Sequence, residues 1–147
     1  MRDKIIHEAE GERTFAIILE EGDEALKCLT EFAQANALQA ASFSAIGALS
    51  GATLAFFDWD RKEYMPIPVD EQVEVASLTG DVAIGPDDKP TLHIHAVLGR
   101  RDGSALAGHL QRAVVRPTLE VILTEAPSFL RKRLIPEIGI ALIDPLI

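Results

Sequence analysis

Two hydrophobic periods alternate along the chain. Residues 13–19, Arg-Thr-Phe-Ala-Ile-Ile-Leu, are rich in the β-branched and aromatic types that suit a strand. Glu20-Glu21-Gly22-Asp23 breaks that run, and beyond it Leu26, Leu29, Phe32 and Ala33 recur at helical spacing. The spacing predicts an amphipathic helix over 24–35, with Asp23 as N-cap, Glu24 at the positive end of the helix dipole and Asn36 as the stop.

From residue 41 the pattern turns to strands. Residues 41–49 are small and apolar and end in Gly47-Ala48-Leu49-Ser50-Gly51, and residues 52–59 predict another strand. Asp58 and Asp60 suit a hairpin turn through Asp60-Arg61-Lys62, after which 63–67 returns. Pro66 and Pro68 place that return at a sheet edge or mark the end of its strand, since proline cannot donate to a ladder. Residues 71–84 predict a strand with a bend at Gly80, and Gly85-Pro86-Asp87-Asp88-Lys89-Pro90 predicts a turn. Strands are expected at 91–98, 105–115 and 118–124, the last two parted by Arg116-Pro117. In the tail, Phe129, Leu130 and Leu134 suggest a short helix ended by Pro136, and 138–143 a further strand. The tail is apolar enough to pack on the body or on a neighbouring subunit. The sum is an α+β fold, a mainly antiparallel sheet with one principal helix packed on it.

Composition changes this picture little. The 147 residues fit one domain, 1–147, with 48% hydrophobic and 25% charged residues, the balance of a globular protein that can bury a core unaided. Cys28 is the single cysteine, which excludes an intrachain disulfide and a cysteine-based metal motif. It lies off the helix's apolar stripe, with nothing nearby to activate it. No signal-peptide core follows Met1, and no apolar run reaches the ~18 residues of a membrane span, so a cytoplasmic protein without membrane contact is expected. Charge matters more. The formal net charge is −9, and the basic residues cluster only at Arg100-Arg101 and Arg131-Lys132-Arg133. Affinity for nucleic acid rests on cations displacing counterions, so DNA binding by this chain alone is disfavoured.

The candidate chemistry lies in histidine. Three of the four histidines fall in His93-Ile94-His95 and Gly108-His109-Leu110. On a strand, residues two apart share a face about 7 Å apart, so His93 and His95 can converge on one ion while Ile94 points to the core. A hairpin between this strand and 105–113 would bring His109 alongside, and three neutral imidazoles leave one position of a tetrahedral zinc open. Imidazoles alone also suit copper, nickel or iron. The same pair on a strand also suits two polar residues on a solvent-facing or interface side.

An ordered set of segments carries a family resemblance. Gly47-Ala48-Leu49, Ala55-Phe56-Phe57-Asp58, Glu74-Val75-Ala76-Ser77-Leu78-Thr79-Gly80, Pro90-Thr91-Leu92-His93-Ile94-His95, Gly103, Gly108-His109-Leu110 and Pro117-Thr118-Leu119-Glu120-Val121 follow the order and spacing of the PPC (plants-and-prokaryotes-conserved) domain. The chain resembles that family over about residues 13–125, leaving 126–147 as a C-terminal packing segment. The resemblance implies an α/β fold on a mainly antiparallel sheet, assembly as a homotrimer, and a metal, usually zinc, on His93, His95 and His109. In land plants the domain sits beside AT-hook motifs, and this sequence has no Arg-Gly-Arg-Pro core, so the family's DNA-binding role does not carry over.

Glu120 suits a catalytic base or a partner of a metal ligand, and equally an exposed strand carboxylate; Glu74 favours the exposed reading. Tyr64 and Trp59 suit a pocket wall or, better, a core edge, and His7 a solvated terminal residue. The expectation is a zinc-binding homotrimer that binds or senses a small ligand. A metal-dependent enzyme with Glu120 as base comes second, and a DNA- or protein-binding regulatory module third.

Overall fold

The computed structural model describes residues 1–147. Nine strands and one helix follow in the order β1 (Arg2–Ala9), β2 (Glu12–Glu20), α1 (Ala25–Ala35), β3 (Ala40–Asp58), β4 (Glu63–Val69), β5 (Val73–Ile84), β6 (Pro90–Gly99), β7 (Ala105–Glu125), β8 (Arg131–Ile135) and β9 (Ile140–Asp144). The α+β class and the one principal helix are as the sequence suggests. Every strand pairing is antiparallel except one parallel bridge, Ile84 with Arg131, that joins β8 to β5.

Two long strands organise the sheet. β3 pairs with β5 and β7, β5 pairs with β6, and β6 pairs back onto β7, so these four close on themselves. β2 and β1 extend the sheet beyond β7, and β4 pairs only with β3, the edge that Pro66 and Pro68 require. Alternation divides the faces. In β6, Ile94, Ala96 and Leu98 are buried while His95 and Val97 are exposed. The inward side chains of β2, β3, β5, β6 and β7 merge with Leu29, Phe32 and Ala33 of α1 into one core of 28 residues, where the Phe15 and Phe32 rings meet edge to face. The histidine-bearing positions therefore lie on the sheet surface turned away from the core.

Several local expectations are corrected. Glu24, not Asp23, caps α1: its carboxylate accepts from the backbone N–H of Leu26 and Lys27, and also from that of Ala113 on β7. Asp23 instead accepts from the N–H of Glu20 and pairs with the N-terminal ammonium. The segments 41–49 and 52–59 are one strand, β3, whose register shifts near Gly47 and Gly51 absorb the glycines as bulges. The segments 105–115 and 118–124 are likewise one strand, β7, running through a cis Arg116-Pro117 bond. Gly80 makes no bend. A Cβ there would lie 2.4 Å from the Phe43 ring and 2.7 Å from the His93 carbonyl oxygen, so glycine allows these segments to approach. The short helix expected at 129–134 does not form. Lys132 to Ile135 pair with Ile143 to Ile140, and the tail is a β8–β9 hairpin. Residues 2–9 form an edge strand, every residue of it exposed, including His7.

Candidate metal centre

β6 and β7 form the expected hairpin, and its register sets His95 directly opposite His109. Directly paired residues share a face, and His93 lies two residues before His95 on that same face. The three rings gather with centroid separations of 5.0, 5.2 and 5.5 Å, and one nitrogen from each falls within 4.8 Å of the others. Nε2 of His93 and Nε2 of His95 approach to 3.1 Å. Two imidazole nitrogens on one tetrahedral zinc stand about 3.3 Å apart, from Zn–N bonds of about 2.05 Å. The pair thus already has ligand spacing, and a nitrogen of His109 lies within 4.8 Å of both.

Neighbouring strands support two of the rings. Tyr64, on β4, stacks on the His109 ring with centroids 4.6 Å apart, and Phe57 meets Tyr64 edge to face. Asp81 of β5 is in register with His93, and its Oδ2 lies 3.6 Å from His93 Nδ1. A carboxylate beside Nδ1 favours the tautomer with the proton there, which leaves the Nε2 lone pair free to face His95 and an ion. Lys132 completes the set. It is the one buried charged residue of the chain, and its Nζ lies 2.9 Å from Asp81 Oδ1 as an ion pair rather than a directed hydrogen bond. The same ammonium donates to the Thr91 carbonyl at 3.4 Å.

Burial favours the neutral form of two of the rings, His93 and His109. Burial lowers the pKa of His109 to about 4, and the charges of His93, His95 and Lys132 add to the effect. Burial also lowers that of His93; Asp81 opposes the shift, while His95 and Lys132 reinforce it. His109 Nδ1 is buried with no hydrogen-bond partner in the protein. A buried ring nitrogen with no partner inside the fold is free to serve as a ligand atom in the tautomer that leaves it unprotonated. The donor set therefore fits a borderline ion such as zinc.

Other candidates stand elsewhere. Glu120 lies eleven residues along β7 from His109, roughly 35 Å of strand, opposite Ile18 and Ile46 and exposed, so the fold does not bring it to the histidines within one chain. Glu74 is exposed opposite Ala48 and Gly99. Trp59 is exposed beside the turn, under the Lys62 ammonium, and Asp58 accepts from the N–H groups of Asp60 and Arg61 as a turn residue does. Cys28 is partly buried, and burial raises its thiol pKa, which suits an inert role. Sequence reasoning missed Asp81 and Lys132. Their only signal is cross-strand register, which a single sequence does not display.

Three clustered imidazoles on the outer face of a partly closed antiparallel sheet define a small α+β protein with a candidate metal centre. The Plants and Prokaryotes Conserved (PCC) domain matches residues 6–127, and the chain belongs to that family, also abbreviated PPC. Solved structures agree. A metal-containing protein from Archaeoglobus fulgidus is 32% identical, with a TM-score of 0.81 over 88% of this chain and 91% of that one. A plant- and prokaryote-conserved protein from Pyrococcus horikoshii is 29% identical, with a TM-score of 0.83 over 90% and 91%. A protein from Ralstonia eutropha described as a putative DNA-binding protein is 30% identical, with a TM-score of 0.81 over 88% and 90%. No curated protein matches the chain.

Proposed function

We propose that this protein binds one divalent transition metal, zinc by the chemistry of its donors, through His93, His95 and His109, and presents it to a small ligand in a binding or regulatory role. The observation that carries the reading is the convergence of three ring nitrogens within 4.8 Å, with the His93 and His95 nitrogens already at 3.1 Å. The unpartnered His109 Nδ1 and the description of the Archaeoglobus protein as metal-containing support it. An ion on three neutral imidazoles supplies positive charge and a Lewis-acidic position for a ligand oxygen. The chain's own residues hold the rings: Asp81 orients His93, Tyr64 packs His109, and burial keeps protons off both. Measuring zinc bound by the wild-type protein and by a His93→Ala/His95→Ala variant tests this reading, with binding expected only in the former.

We propose further that the chain acts as a homotrimer. Ile46 and Ile122 are 63% and 47% exposed on the outward face of β3 and β7, where the register also sets Ile18 beside Glu120, and such a face favours burial against another copy. A DNA-binding role, suggested by the description of the Ralstonia protein, meets a net charge of −9 here and is the weaker reading. A hydrolytic role using Glu120 as base lacks a same-chain path from that carboxylate to the histidines.

A further inference from the structure

A cleft of about 310 Å³ opens between the histidine face and the β8–β9 hairpin. One end is polar, with His93, His109 and Lys132. The rest is walled by Leu92 and Tyr64 on one side and by Ile140, Ala141 and Leu142 of the hairpin on the other. The hairpin wall, residues 139–142, lies beyond the segment that the family model matches.

Lys132 is the unusual feature. A lysine ammonium beside a cation-binding cluster opposes the cation by charge alone, and burial makes that opposition stronger. Asp81 balances it, so the pair is neutral and a bound divalent ion would leave the polar end of the cleft net positive. The ammonium carries three N–H groups. Thr91 takes one and Asp81 sits against another, which leaves one for a third acceptor while the side chain lines the cleft. A site with positive charge at one end and apolar walls elsewhere recognises an anionic head joined to an apolar body.

We propose that this cleft binds a small organic monocarboxylate, its carboxylate at the His93, His109 and Lys132 end and its hydrocarbon part against Leu92, Ile140 and Leu142. The proposal deepens the metal-site reading and rests on it for the net positive charge. Lys132 sets the preference for an anion, and the hairpin sets the preference for an apolar body. A phosphate-rich or polyhydroxylated ligand would leave charged oxygens or hydroxyls unpaired against Ile140 and Leu142 and is disfavoured.

Calorimetric titration of the zinc-loaded protein with acetate, butanoate, hexanoate and benzoate, against the matching primary alcohols, tests the assignment. Among the straight-chain acids, binding is expected to tighten about fourfold per added methylene. Each alcohol is expected to bind at least about tenfold more weakly than its acid, because it lacks the charge-assisted contact. Lys132→Met should weaken the acids far more than the alcohols. Because Lys132 also anchors the hairpin, Leu142→Glu is the second variant: this side chain is 42% exposed, so the fold tolerates the change while the cleft wall becomes anionic, and acid binding should disappear. Zinc content, measured on the same samples, separates the two claims. If the protein holds zinc and no acid binds, or acid and alcohol bind alike, the ligand assignment is overturned and the metal site stands. If the protein holds no zinc, the metal reading fails, and the same titration on metal-free protein decides the cleft: acid binding lost in Lys132→Met supports it, and no binding overturns it.

Discussion

At the scale of single residues, the histidine cluster shows which properties a sequence carries openly. The spacing of His93 and His95 is local, and the alternation of a strand translates it directly into a shared face with Ile94 in the core. The contribution of His109 needs only one hairpin. Asp81 and Lys132 were not legible, because one reaches His93 through the β5–β6 register and the other through a tail that folds back across the molecule. Asp81→Asn is expected to weaken zinc binding by about 10–100-fold, the usual effect of losing a carboxylate behind a ligating imidazole. Competition with a chromophoric chelator reads this, and unchanged affinity would remove Asp81 from the site.

The same residues set a dependence on pH. Burial holds the His109 pKa to about 4 in the folded chain against 6.5 for a solvated imidazole, so between these values the unfolded state holds more protons than the folded one. The metal-free protein is therefore expected to lose stability as pH falls from about 6.5 to 4, and His109→Gln should flatten that part of the curve. Urea midpoints across the window measure it. An identical slope in the variant would place the titration elsewhere.

At the scale of elements, the one helix and most strands follow from periodicity, and the errors have a common cause. Gly47, Gly51 and Pro117 read as breaks, yet β3 and β7 pass through them because pairing on both sides holds the strands across a bulge or a proline. The tail read as helix because Phe129, Leu130 and Leu134 lie at helical spacing, but Ile140 to Ile143 offered a strand partner for Lys132 to Ile135. The cap moved by one residue because Glu24 reaches the Ala113 N–H as well as the helix's own N–H groups. Glu24→Ala is accordingly expected to destabilise the protein by about 1–2 kcal/mol, as the loss of a cap does, and Asp23→Ala by less. Equal losses in chemical denaturation would return the cap to Asp23.

At the scale of the whole molecule, the fold presents two outward surfaces. One holds the histidines under the β8–β9 hairpin, and the other exposes Ile46 and Ile122 across β3 and β7. Burying the second in a homotrimer predicts that Ile46→Glu shifts the mass measured by light scattering from three chains toward one. A wild-type protein that runs as a single chain at micromolar concentration would contradict the trimer. Family membership came from ordered motifs spread over most of the chain, which is why the fold was more legible than the ligand: the cleft that would choose a ligand is walled by residues 139–142, outside those motifs.

The central claim is that His93, His95 and His109 hold a metal ion. Elemental analysis of the native protein, purified without chelator, beside His93→Ala/His95→Ala tests it most directly. About one zinc per chain is expected in the native protein and none in the variant, since one imidazole alone cannot retain the ion. A native protein that holds no transition metal, and takes up none on incubation with zinc, would contradict it.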